Sequence, residues 1–277
     1  MNTSDYLYHY TSIDTLELIL KNKTIRFTSL DQMDDLQEKE SNDLINFGQF
    51  YYISSWTAEE KEILPMWRDY ASSDNGVRIA LPKNPFKKYI ETSQDIADAT
   101  GFICCDEKPS PLKPCLIPRS KMFSKGFWSV DATSCDILRQ VIYTDNSEKL
   151  YPTLTSKKEN GSYIFLKEMG VYKNTYWEYQ KEWRYIMFIV PLDLKTLPEL
   201  ALFNFVNLNI NIKNGSAKQL FPYYDLSISD EAFTKMKIML GPEVKADKKE
   251  YVKDLVSKYN PSATVEKSEL SGLVRHT

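Results

Sequence analysis

The chain has 277 residues, 42% hydrophobic and 26% charged, with 35 Lys and Arg against 38 Asp and Glu for a net charge of −3. That balance fits a soluble globular protein with a sizeable core and excludes a surface committed as a whole to nucleic acid, although a local basic groove stays invisible in the sum. No apolar run is long enough to span a bilayer, residues 1–21 lack the order of a signal peptide, and Cys104, Cys105, Cys115 and Cys135 form no C-x-x-C pair. Free thiols in a cytoplasmic setting, with no membrane partner and no metal, are therefore the expectation.

Residues 6–11 read as a strand with Leu7 and His9 on one face and Tyr6, Tyr8 and Tyr10 on the other. His9 is one of two histidines; the other, His276, stands next to the end. Ser12 suits a helix N-cap, Asp14 and Glu17 follow in the first turn, and Ile13, Leu16, Ile19 and Leu20 make an apolar stripe. Residues 24–29 read as a second strand that brings Arg26, Thr28 and Ser29 beside His9.

Residues 31–46 are acidic and polar and read as a loop running into a helix, 47–57 as a strand, and 59–71 as a helix whose regular part starts near Pro65. Asn75-Gly76 marks a turn into a strand over 77–81. Residues 82–136 hold all four cysteines and show no sustained period, so they read as an irregular insertion within a single domain spanning 1–277. A short strand at 140–143 and a helix from 161 through Lys173 come next.

Residues 176–190 form the most strand-like run, with Glu182, Arg184, Ile186 and Phe188 on one face and Trp183, Tyr185, Met187 and Ile189 on the other. Strands at 201–207, 237–240 and 263–267 and a charged helix over 245–259 complete an irregular α+β pattern, unlike a doubly wound parallel sheet.

Two positions stand out chemically. His9 ends a strand beside hydroxyl residues and suits a cleft, though a strand-end histidine bonded to backbone explains the same spacing. Glu182 and Arg184 share a face with apolar residues, where a charged pair is rare unless it is internally matched or functional. Asp34, Asp35 and Glu38 could hold a divalent ion or form a solvated acidic loop. No phosphate-binding glycine loop and no G-x-S-x-G elbow occurs.

The run from His9 to Lys23, H-Y-T-S-I-D-T-L-E-L-I-L-K-N-K, resembles the opening strand and helix of DarT-like toxins of the ADP-ribosyltransferase superfamily. Over nearly its full length the chain looks like a bacterial domain-of-unknown-function family. It has Tyr8-His9-Tyr10-Thr11-Ser12, Met66-Trp67 with Tyr70, Gly76-Val77-Arg78-Ile79, Val141-Ile142-Tyr143, Lys181-Glu182-Trp183-Arg184 and Ile238-Met239-Leu240-Gly241-Pro242 in the expected order. One box departs: where that family has N-D-P-x-E, this chain reads Asp34-Asp35-Leu36-Gln37-Glu38, which leaves open any ligand role of the first position.

The resemblance implies an ADP-ribosyltransferase-like split mixed β-sheet with flanking helices. It also implies NAD-dependent mono-ADP-ribosylation of a nucleic-acid or protein acceptor, in a toxin or phage-defence effector met by an antitoxin or regulatory protein. Glu182 then becomes the catalytic glutamate. His9, with Tyr10, Thr11 and Ser12, anchors a ribose hydroxyl of NAD; Arg26 faces the pyrophosphate or the acceptor; Ser29, Tyr52, Trp67, Tyr70 and Arg184 complete the NAD site. The rivals are an NAD glycohydrolase with water as acceptor, a non-catalytic nucleotide- or peptide-binding module, and a metal-dependent nuclease built on the acidic loop.

Overall fold

A computed structural model of the chain describes residues 5–71, 74–101, 108–158, 161–192 and 211–274. The strand expected at 201–207, His276, Cys104 and Cys105 lie outside the described residues. In chain order the strands are β1 (Tyr6–Ser12), β2 (Thr24–Ser29), β3 (Tyr51–Thr57), β4 (Gly76–Pro82), β5 (Phe127–Trp128), β6 (Leu138–Gln140), β7 (Ile142–Tyr143), β8 (Thr155–Lys158), β9 (Gly161–Ile164), β10 (Tyr172–Lys173), β11 (Glu182–Phe188), β12 (Val190–Pro191), β13 (Tyr223–Ser227), β14 (Lys237–Leu240) and β15 (Thr264–Lys267). The fold is α+β, with a large mixed sheet flanked by helices.

Among the described residues nine strands form that sheet, and β3 is its trunk. One edge of β3 pairs antiparallel with all of β11, from Glu182 opposite Thr57 to Phe188 opposite Tyr51. The other edge is divided. β2 meets it at Ile53 and Tyr52, through Thr28 and Ser29, while β1 meets it at Thr57 through Tyr8. Two branches leave this fork: β2–β13, and β1–β4–β14–β15 with a parallel last pair.

The local reasons are plain. Ser12 accepts a hydrogen bond from the Thr15 amide and caps the helix Ile13–Asn22, whose buried Ile13, Leu16, Ile19 and Leu20 are the expected stripe. Lys23 ends it in the left-handed conformation at φ 51°, and the chain turns at once into β2. Alternation along β11 then sorts two cores. Tyr185, Met187 and Ile189 join Leu7, Trp56, Ile79 and Val252 on one face, and Ile186 and Phe188 join Tyr51, Ile53, Phe47 and Leu154 on the other.

Several elements differ from expectation. Residues 59–71 give only a helical turn at Leu64–Met66 and a wider π turn at Trp67–Ala71. The helix expected from 161 through Lys173 is instead β9, a turn and β10. The strand expected from 176 starts at Glu182, because Asn174 caps a tight 3-10 turn over Thr175–Gln180 and Lys181 leaves it at φ 47°. Likewise 47–50 is a 3-10 turn before β3, the strand at 140–143 is two pieces, and β13 was not foreseen.

Leu116, Ile117, Met122, Phe127 and Ala132 lie in the same cluster as Leu7 and Ile79. Among the described residues no helix is long and apolar enough to cross a membrane.

Candidate functional site at the fork of the sheet

By strand alternation His9 and Glu182 start on opposite faces: His9 follows Leu7, against Trp56 at 5.1 Å between ring centroids, while Glu182 precedes Ile186 and Phe188. The fork brings them together. Between Ile53, held by β2, and Thr57, held by β1, the Ser55 carbonyl has no strand partner on that edge, and His9 Nδ1 donates to it at 2.7 Å. A carbonyl only accepts, so the neutral ring carries its proton on Nδ1 and leaves the Nε2 lone pair free to accept. Burial lowers the His9 pKa below its ordinary 6.5 against the opposing pull of that carbonyl, which favours the neutral ring.

The other half of the pocket is a buried ionic quartet. Arg184 Nε donates to Glu182 Oε1 at 2.7 Å, and its Nη2 donates to Glu182 Oε2 at 3.0 Å and to Glu38 at 2.8 and 2.9 Å. Its Nη1 donates to the Gly170 carbonyl at 2.9 Å. Lys173 Nζ donates to Gln180 Oε1 at 2.9 Å and Glu182 Oε2 at 3.2 Å, and lies 3.7 Å from Glu38. Two acids face two bases, so the buried charge sums to zero, as a dry interior requires.

The two acids are nonetheless unequal. Burial works to raise Glu182, but Arg184 and Lys173 overcome it and hold the carboxyl down to about 2. Burial wins at Glu38, whose pKa is raised despite the same two cations. Gln180 Nε2 in turn donates to the Tyr70 hydroxyl, and burial pushes that phenol upward. The Glu182 amide is fixed by the Tyr143 hydroxyl at 2.9 Å.

These groups line a cavity of about 80 Å³ whose walls include His9, Trp56, Tyr70, Glu38, Glu182 and Arg184. Tyr8 also lines a larger cavity of about 590 Å³ over β4 and β14, where Arg78, Lys61 and Lys237 stand among five glutamates.

Of the residues expected at the site, His9, Tyr10, Tyr70, Glu182 and Arg184 line the small cavity. The others lie elsewhere, each engaged by its own element. Thr11 is buried in β1 and Ser12 caps the first helix. Arg26 is held bidentate by Asp225 across β2–β13 and lies 3.5 Å from the Tyr223 ring centroid. Ser29 donates to the Gln49 carbonyl and Tyr52 to the Phe221 carbonyl, on the core side. Trp67 is fully buried edge-on to Tyr10, with its indole N–H on Glu62.

Glu38, Trp56, Lys173 and Gln180 are among the cavity residues that were not expected at the site. Glu38 had a signal, as the last position of the Asp34–Glu38 box, but an acidic turn looks the same whether its acid points out or in. It does not join Asp34 and Asp35 as a cation trio: Arg184 holds Glu38, and Asp35 accepts from the Gln37 amide within its own turn. Among the described residues no group of three His, Cys, Asp or Glu is placed to hold a metal ion.

Residues 66–185 match the model of a family described as "Protein of unknown function (DUF2971)". The matched stretch includes Tyr70, Lys173, Glu182 and Arg184, while His9 and Glu38 precede it. Neither a curated protein nor a solved structure matches the chain.

Proposed function

We propose that the fork pocket binds the nicotinamide–ribose end of NAD and that the protein is a mono-ADP-ribosyltransferase. The observation that carries this reading is the convergence of His9, Tyr70 and Glu182, from three separate stretches of chain, on one largely apolar cavity walled by aromatic rings. Breaking the bond from C1′ to the nicotinamide nitrogen develops positive charge on the ribose, as in glycoside cleavage. Glu182, anionic at any ordinary pH and aimed by Arg184, is the group that meets that charge. His9 Nε2 accepts from a ribose hydroxyl, and Trp56, Tyr10 and Tyr70 flank the nicotinamide ring.

Size is the demand this places on the fold. A cavity of about 80 Å³ is well below the roughly 300–1,000 Å³ of ordinary ligand pockets, so the dinucleotide enters only if the wall moves. The stretch from Met33 to Glu38, the turns at Leu64–Met66 and Trp67–Ala71 and the end of the Thr175–Gln180 turn are the non-sheet parts of that wall. The toxin or defence setting, the nucleic-acid or protein acceptor and an antitoxin partner follow from the family resemblance alone.

The small cavity and its cancelled charges favour a second reading: a module in which the quartet is structural and the pocket binds a nucleotide or peptide without turnover. Incubation with NAD, reading nicotinamide release by chromatography and binding by calorimetry, separates the two. Release that is lost in Glu182→Ala and kept in Lys181→Ala supports the transferase. Binding without release supports the module, and neither binding nor release ends the NAD reading.

A further inference from the structure

The Asp34–Glu38 box has no part in the chemistry above, yet it delivers a carboxylate to the pocket. We infer that Glu38 is the general base of the transfer, taking the proton from the incoming acceptor while Glu182 remains the anion that faces the ribosyl cation. This assignment rests on the NAD reading of the same site.

Geometry places Glu38 for the task. Asp35 accepts from the Gln37 amide through Oδ1 at 3.0 Å and from the Glu38 amide through its carbonyl at 3.4 Å, and this turn swings Glu38 inward while Leu36 and Gln37 stay exposed. The Glu38 carboxylate lines the same cavity as Glu182 and His9 and shares Arg184 Nη2 with Glu182, so both acids face one small volume. Their environments differ in the way a division of labour needs. Glu182 holds two bonds from Arg184 and one from Lys173, while Glu38 is bonded through the single nitrogen Nη2 and stays 3.7 Å from Lys173. The more tightly paired acid stays charged, and the less tightly paired one is the better proton acceptor.

The step balances. The C1′–N bond breaks with its electron pair going to the pyridine nitrogen, so nicotinamide leaves neutral. A lone pair of the acceptor N–H or O–H forms the new bond to C1′, and its proton passes to a Glu38 oxygen. Glu38 ends as the acid and returns the proton to water on product release. The acceptor class is thus a nucleophile that must lose a proton: a hydroxyl, an amine, a guanidinium or a base N–H.

Azide tests this, because it attacks already deprotonated and needs no base. The full chain is incubated with NAD in water alone and with added azide, reading nicotinamide release and the azidoriboside product. Glu38→Gln should lose about 10²–10⁴-fold with water, and azide should restore it to within about tenfold of wild type. Glu182→Gln should be slow with both nucleophiles. An unchanged Glu38→Gln rate, or a loss that azide does not repair in a variant that melts like wild type, overturns the assignment and leaves the NAD reading standing. Wild-type silence with both nucleophiles overturns the transferase reading itself, and with it the assignment. Should Glu38→Gln not fold, the wild-type pH profile decides: a rate with water that climbs with pH beside a flat rate with azide supports Glu38, and parallel profiles overturn it.

Discussion

Arg184 is a buried guanidinium shared by two carboxylates and a backbone carbonyl, with its side chain about 1% exposed, so nothing in its surroundings can replace it. Arg184→Met leaves Glu38 and Glu182 facing each other with Lys173 alone to offset them. The expected loss is about 3–5 kcal/mol in urea unfolding, the cost of stranding a buried charge. The acids carry opposite pH signatures. Glu182 sits below its ordinary 4.5 in the fold, so its stabilisation is complete above 4.5 and fades as pH falls toward about 2. Glu38 sits above its ordinary 4.5, so its contribution is complete below that value and is lost as pH rises through its folded pKa. Unfolding curves of wild type and Glu182→Gln should therefore converge on acidification below about 4.5, the gap shrinking by on the order of 3 kcal/mol. His9 has the same sign as Glu182, displaced to higher pH: a lowered pKa means that charging the ring opposes folding, so its contribution is full above 6.5 and falls as pH drops below it. In His9→Gln that slope should vanish from the stability profile.

At the scale of elements, the turn ahead of β10 aims the arginine. Gly170 sits at φ +73° and gives its carbonyl to Arg184 Nη1. A Cβ there would meet Ile53 Cδ1 at 3.0 Å, so Gly170→Ala adds left-handed strain to a contact in the second core. It should cost about 1–2 kcal/mol by thermal melting. How far such elements can be read from the sequence depends on whether their determinants are local. The Ile13–Asn22 helix, β14 and the Ala246–Tyr259 helix were legible, because a cap, an apolar stripe or a flanking Gly-Pro fixes each within a few residues. The run Thr175–Gln180 misled because Tyr and Trp favour strands, although Asn174 offered the cap that turns it into a 3-10 helix. Residues 161–173 misled because their apolar spacing suits a helix, while the hairpin of β8 and β9 is decided by pairing with a second segment. The site divides likewise. The inward faces of Glu182 and Arg184 follow from alternation; the meeting of His9 with Glu38 depends on a fork that no local signal encodes.

For the molecule as a whole, β3 carries one core on each face and the fork on its edge, so pocket and core share their supports. Trp56 packs in the first core and lines the pocket; Ile53 belongs to the second core and pairs across the ladder with Ile186, two residues from Arg184. One apolar cluster unites Leu20 of the first helix with Met122 of the 82–136 region, so the described part of that region packs into the shared core. Leu20→Ala and Met122→Ala, both at fully buried positions, should each cost about 2–5 kcal/mol. In each variant tryptophan fluorescence and far-ultraviolet circular dichroism should still fall in one coincident transition. The contrary result is specific: if residues 82–136 formed a separable insertion, Met122→Ala would add an early transition and leave the main one in place. The same melt bears on the pocket: if the chain melts as one unit, core damage reaches the fork, and on the proposed NAD reading Met122→Ala should weaken NAD binding at temperatures just below its own midpoint, although Met122 does not line the cavity.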